Sequence, residues 1–272
     1  MIQKKRGESV DRVYQELHDR IMSGLYAPGV RMSQADLAVA LNTSRTPLRE
    51  ALNRLQANGL VVATTNRGME VAPVRFEHTE QLYALRLLVE PPLVGALVPK
   101  LGQAEIQQMR QALLEMGESG ESNKDFQEIH RAFHDVLLSM YPESIREIIE
   151  SSYERINRHQ RLHFSRPHVP DDFTHTDHHF LDAIVEGNAA LARQWLEFHL
   201  IDAALGLMLD IDPTYVPEAL FLAAAGLGIE LKCAVSRNLR PISIRWTSKS
   251  AEPMASIETV NLIHHNADAI AH

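Results

Sequence analysis

His130 and His134 stand four residues apart in a stretch of helical periodicity, so both imidazoles leave one helix face. That is the spacing of helix-borne metal ligands. Further along, the segment THTDHHFLDAI supplies His175, Asp177, His178 and His179, and His199 follows on another apolar-periodic segment. Imidazoles joined by a carboxylate suit Zn, Ni, Mn or Fe better than Mg or Ca. Taken one at a time, these histidines read as surface or satisfied core residues. Their combination is what points to a metal. A second group sits near the N-terminus, where Ser44, Arg45, Thr46 and Arg49 crowd the front end of one short helix. Arginine can bond guanine O6 and N7 in a bidentate way, and hydroxyls and a helix N-terminus attract phosphate. A third group is cationic: Arg86, and the run Arg155, Arg158 and Arg161 between the two histidine motifs. A guanidinium can hold an organic acid against a metal; the 155–161 run reads equally well as a solvated face.

The elements that must position these residues follow from periodicity. Val10, Val13, Leu17 and Ile21 predict an amphipathic helix over 9–23, ended by Gly24, Pro28 and Gly29. Ser33 reads as the N-cap of a short second helix through Leu37, Ala38 and Leu41. Asn42-Thr43 is a turn, and Ser44 caps a third helix with Pro47 in its first turn, stopping at Asn58-Gly59. Two β-prone runs around Thr64-Thr65-Asn66-Arg67-Gly68 predict a hairpin. Helix, short helix, turn, helix and two-stranded wing make a winged helix-turn-helix with the third helix as major-groove reader. Arg67 and Gly68 then mark the wing tip, at the flanking minor groove.

From 76 to 210 the chain reads as helix throughout. Segments are expected at Thr79–Val98 (interrupted by Pro91-Pro92), Gln103–Glu118, Lys124–Met140, Pro142–His163, Asp177–Val185 and Ala189–Leu209. The fold class is mainly α: the winged helix-turn-helix followed by an all-α helical bundle. Domains are expected at 1–75, 76–210 and an unassigned extension at 211–272, where weak or irregular order and one helix near Phe221–Leu231 are anticipated.

Composition agrees with a two-part molecule. The net charge of −8 conceals an asymmetry: residues 1–75 carry 11 Lys+Arg against 7 Asp+Glu, while residues 76–210 carry 11 against 22. A basic module joined to an acidic one suits DNA binding coupled to a separate sensor that phosphate repels. No apolar run reaches the ~18 residues expected of a membrane span. The N-terminus lacks a secretory h-region, and the single Cys233 fits a reducing cytoplasm.

The stretch LAVALNTSRTPLREALNRLQANGLVVATTNRGMEVAPV resembles the DNA-binding domain of the GntR family of bacterial regulators, through SRTPLREAL, the following L-x-x-x-GL and NRG-x-x-V. The resemblance implies that Arg45, Thr46 and Arg49 contact operator bases or nearby phosphates, and that Arg67-Gly68 sits at the minor groove. Where many members carry Arg or Glu, this chain has Gln34-Ala35. The second module resembles the FCD effector-binding domain of the fatty-acid-regulator branch of that family. Arg86 and Glu90 match its R-x-x-x-E, His130-Arg131-Ala132-Phe133-His134 its D-x-x-F-H, and His199 its final histidine. In that branch these positions bind a divalent metal that helps hold a small carboxylate effector. Two departures stand out: the first ligand, usually Asp, is His130, and six residues before Ala183 stands Asp177 with His178 next to it. The expected ligand set is His130, His134, Asp177 and His199, with His178 as the alternative third ligand. Arg86, with Arg158 second, is the expected effector partner. The function implied is a cytoplasmic, homodimeric regulator of double-stranded operator DNA, acting as a repressor released by an organic acid, with no membrane and no enzymatic role. The alternatives are a metal-dependent hydrolase built on the His/Asp cluster, or a DNA binder with a degenerate, metal-free sensor.

Overall fold

The computed structural model describes residues 2–64, 68–118, 123–163, 173–209, 212–233, 241–247 and 259–261. Arg67 lies outside them. By contacts the chain divides into two units, one of residues 1–75 with 147–165, the other of 76–146 with 166–272.

The first unit is built on α1 (Ile2–Met22), α2 (Gln34–Ala40) and α3 (Arg45–Ala57), with strands β1 (Arg31–Met32), β2 (Val61–Thr64) and β3 (Gly68–Val71). Val13, Leu17 and Ile21 of α1 meet Leu37 of α2 and Leu48, Ala51, Leu52 and Leu55 of α3 in one core, closed by Leu60, Val61 and Val71. Each fully buried aliphatic side chain contributes about 1.5–3 kcal/mol. The cap of α2 is as expected: Ser33 Oγ accepts the Asp36 amide at 3.4 Å. The turn before α3 is made by Asn42 at φ 44°, a left-handed position that Asn tolerates. Ser44 occupies the cap position of α3 but makes no side-chain cap bond. The strands form an antiparallel sheet in the order β1-β3-β2, with Thr64 opposite Gly68.

The second unit contains α4 (Phe76–Leu97, continued by a 3-10 turn Val98–Lys100), α5 (Gln103–Glu118), α6 (Asn123–Leu138), α8 (Phe173–Val185) and α9 (Ala189–Leu209). Between α6 and α8 runs α7 (Glu143–His163), which crosses from the second unit into the first at 146/147. Helix α9 packs on α4 and α8, and α5 packs on α6 and α8.

The expected break at Pro91-Pro92 does not occur: α4 runs straight through both prolines. The pair removes the donors for the carbonyls of Leu87 and Leu88. Packing overrides that cost, because Leu87 and Val94 on either side are fully buried against the bundle and Leu88 lies on the exposed side, where its carbonyl can reach water. By length and hydropathy Phe76–Lys100 could cross a membrane. It carries the buried Glu80, Arg86 and Glu90, as the core helix of a bundle does.

In the C-terminal extension, the described residues include regular elements where weak or irregular order was expected. Its described residues form α10 (Glu218–Gly226) and an antiparallel sheet of β4 (Ile229–Cys233), β5 (Pro241–Trp246) and β6 (Thr259–Asn261), in that order. Helix α10 is shorter than the Phe221–Leu231 reading because Gly228, at φ +73°, turns the chain into β4. It packs on α4, where Glu80 accepts the Tyr215 hydroxyl at 2.5 Å and the amides of Ala219 and Leu220. Trp246 Nε1 donates to the buried Glu197 at 2.7 Å.

Candidate metal centre and DNA-reading face

Three helices carry the centre, each on its packing stripe. In α6 the buried residues Phe126, Phe133 and Leu137 share a face with His130 and His134. In α8 the stripe Phe180, Leu181 and Ile184 continues one turn back to Asp177, and in α9 His199 lies among Leu196, Phe198 and Leu200. The amphipathic pattern that builds the bundle thus drives the four donors inward.

His130, His134, Asp177 and His199 each offer one ligand atom, all within 4.8 Å of one another. His130 Nε2 is 3.1 Å from His134 Nε2 and 3.1 Å from Asp177 Oδ2, while His134 Nε2 and His199 Nδ1 stand 3.6 and 3.5 Å from Asp177 Oδ1. Donors about 2.0–2.2 Å from one ion are spaced about 3 to 3.5 Å apart. Asp177 is 1% exposed, yet neither carboxylate oxygen has an aligned hydrogen-bond partner. A buried, unsatisfied carboxylate is costly unless a cation completes it. The donors fit a divalent transition ion.

Their protonation fits too. Burial, reinforced by His130, holds His134 well below the ordinary imidazole range, and burial pushes His199 down to about 4 against the pull of Asp177. Burial would raise the Asp177 carboxyl, but His199, His130 and His134 together hold it below its usual range. Burial thus favours the neutral imidazole at His134 and His199, the form in which a histidine binds a metal.

His178 is exposed and lies outside the cluster, as the ~100° step between adjacent helical residues dictates. Arg86 is 4% exposed, and its Nε donates to Glu90 Oε1 at 2.5 Å. Tyr141 donates to the other Glu90 oxygen at 3.4 Å. The Arg86 charge is felt at His134 and His199. Arg158 belongs to the other unit: it is buried there, donates through Nη2 to the Ala72 carbonyl just after β3, and is pushed down to about 10 by burial. The structure brings Arg86 to the centre's electrostatic field and seats Arg158 behind the wing.

On the first unit, Ser44, Arg45, Thr46 and Arg49 are all exposed at the front of α3, while Pro47, Leu48, Ala51 and Leu52 face the core. Gly68 opens β3 at φ +83°. Arg54, on the far turn of α3, is committed elsewhere, to Asp11 at 2.6 Å and over the Tyr14 ring. Arg45 and Arg49 remain exposed at the front of the helix.

Sequence reasoning missed Glu80, Glu197, Tyr215 and Trp246, which fasten the extension to the bundle. A carboxylate inside an apolar helix is the available signal, but the partners of Glu80 lie 135 and more residues away, and Trp246 lies 49 residues from Glu197.

Residues 9–71 match the family described as "Bacterial regulatory proteins, gntR family", and residues 81–202 match the FCD domain. The Nta operon transcriptional regulator of Aminobacter aminovorans is 35% identical over 133 residues, 48% of this chain and 63% of that protein. The gluconate operon transcriptional repressor of Bacillus licheniformis is 31% identical over 145 residues, 52% of this chain and 56% of that one. These matches span about six-tenths of each relative's length. A crystal structure from Rhodococcus sp. RHA1, assigned as a GntR transcriptional regulator, superposes with a TM-score of 0.63 at 28% identity, covering 73% of this chain and 97% of the other. The relatives are regulators of transcription, which removes the hydrolase reading of the His/Asp cluster. With a helix-turn-helix whose front-end arginines are exposed and a helical domain that follows it in the sequence, the chain belongs to the GntR family of transcriptional regulators and carries an FCD domain.

Proposed function

We propose that this regulator is a cytoplasmic homodimeric repressor whose operator affinity is set by a small carboxylate effector held at a metal centre. The observation that carries the reading is the buried His130, His134, Asp177 and His199 cluster with its unsatisfied carboxylate. The four residues would hold a Zn, Ni, Mn or Fe ion. When bound, that ion supplies positive charge that attracts an anionic ligand. Arg86 supplies the second cationic contact, and Glu90 and Tyr141 fix its orientation. Two copies place two α3 helices on the half-sites of a palindrome. Arg45, Thr46 and Arg49 read the major groove, Ser44 holds phosphate, and Arg67-Gly68 enters the flanking minor groove.

Release requires the effector to favour one conformation over the other. Helix α7 supports such a link: it falls within residues matched to the FCD domain, is flanked in sequence by α6 and α8, two of the three helices bearing the donors, and within the first unit meets Ala72 through Arg158 and Gly59 through Arg155.

The test uses the purified full-length chain. Duplexes selected from a random pool give the operator, and fluorescence anisotropy then measures affinity against a panel of di- and tricarboxylic acids, with and without added Zn²⁺ or Ni²⁺. The expected result is a metal-dependent loss of affinity with at least one acid, abolished in Asp177→Ala. Metal-free wild-type protein that binds no added ion, with no acid altering DNA affinity, overturns the reading in favour of a binder with a degenerate sensor.

A further inference from the structure

Helix α8 presents chemistry on two sides. Asp177 points into the bundle, while His175 and His178 are exposed and His179 is half-buried on the outer side. His175 and His179 are four residues apart on one face, with ring centroids 4.4 Å apart and planes at 89°. The buried pair His130 and His134 has the same sequence spacing, 4.6 Å between centroids and 88° between planes. The outer pair therefore repeats the ring spacing and ring angle of the inner pair, with His175 exposed to solvent.

One of the two outer rings is also held in place. His179 stacks on Trp195 of α9, with 4.6 Å between centroids and 13° between planes, and Trp195 is braced edge-to-face by Phe198. A ligand whose ring is already fixed loses little rotamer freedom on binding. Two imidazoles at i and i+4 form a chelate for a borderline-soft divalent ion, with water completing the coordination sphere.

We propose that His175 and His179 form a second, solvent-facing site for a divalent transition ion such as Zn²⁺, Ni²⁺ or Cu²⁺, separate from the buried centre. It lies on the helix that also carries Asp177, so the sensor domain takes up metal at two places with different access. The buried site binds with four protein donors, and the outer one with two. The outer site accordingly fills at higher ion concentration, and it exchanges freely with solvent.

Calorimetric titration of the metal-stripped, full-length protein with Zn²⁺ tests this, with metal content after gel filtration as a second reading. Wild type is expected to show two classes of site. His175→Ala removes an exposed side chain, leaves the Trp195 stack in place, and should abolish the weaker class while sparing the tighter one. Asp177→Ala should do the reverse. In wild type carrying Zn²⁺ at the tighter site only, after removal of the weakly held ion, added Ni²⁺ should quench tryptophan emission through Trp195, and His175→Ala should lose at least tenfold in the concentration dependence of that quenching. A single class of site that survives His175→Ala and disappears in Asp177→Ala overturns the outer site and leaves the buried centre standing. A single class with the opposite pattern overturns the buried centre instead.

Discussion

At the scale of single residues, the two functional regions are built in opposite ways. Arg45 and Arg49 are exposed and add nothing to the core, so their replacement separates reading from folding. Arg45→Ala and Arg49→Ala should each weaken operator binding by about 1–3 kcal/mol, while leaving the urea midpoint unchanged within about 0.5 kcal/mol. Anisotropy and denaturation curves on the same samples check both halves of that statement. Asp177 is the reverse case, a fully buried carboxylate whose oxygens have no aligned hydrogen-bond partner. If an ion is bound at 100 times its dissociation constant, it stabilises the fold by about 2.7 kcal/mol. Chelation should then lower the thermal midpoint by several degrees in wild type and leave Asp177→Ala unmoved, which differential scanning fluorimetry with and without EDTA would show.

At the scale of elements, α7 is the segment whose place the sequence least disclosed. Its amphipathic stripe predicts a helix, and the helix is there, at Glu143–His163. A stripe, however, does not name the surface it will cover. Most of α7 packs in the DNA-reading unit, where Gly59 at φ +71° would put a Cβ 3.1 Å from Arg155 Nε, and Arg158 donates to Ala72. Arg158→Ala leaves the Ala72 carbonyl without that donor and should cost about 1–3 kcal/mol. Denaturant unfolding checks the cost, and a blunted acid response in anisotropy would mark α7 as a carrier of the signal. Helix α4 makes the complementary point. Local propensity argues for a break at Pro91-Pro92, and burial of Leu87 and Val94 keeps the helix whole. By contrast α5 and α9 begin and end where their periodicity and flanking breakers say.

At the scale of the whole molecule, the extension after residue 211 belongs to the sensor unit. Glu80 and Glu197 are buried carboxylates of α4 and α9, and the described partners of Glu80, together with Trp246 on Glu197, come from the extension. Leu220 and Ala224 are fully buried beside them. Deleting 213–272 removes the described partners of Glu80, leaves Glu197 with Arg193 but without Trp246, and exposes apolar surface. The truncated chain should unfold at least ~2 kcal/mol more readily than the full chain, as judged from urea curves. The charge asymmetry is also a property of the whole chain: a basic first module and an acidic second one. Operator affinity should fall steeply between 50 and 200 mM salt, because each phosphate contact releases counterions.

The local sequence by itself determined the helix-turn-helix, because caps, turn residues and periodicity act within a few residues: Ser33, Asn42, Asn58-Gly59 and the Leu48–Leu55 stripe suffice. It also placed His130 with His134, since four residues on one helix are neighbours by geometry alone. Tertiary structure decided everything that joins distant segments. Asp177 meets His130 because α6 and α8 pack in one bundle, and the one-residue choice between Asp177 and His178 is a choice of helix face that only packing makes. The same holds for Arg158, which spacing placed beside the metal motifs and the fold seated on Ala72. It holds again for the extension, whose order rests on two carboxylates supplied by helices far earlier in the chain.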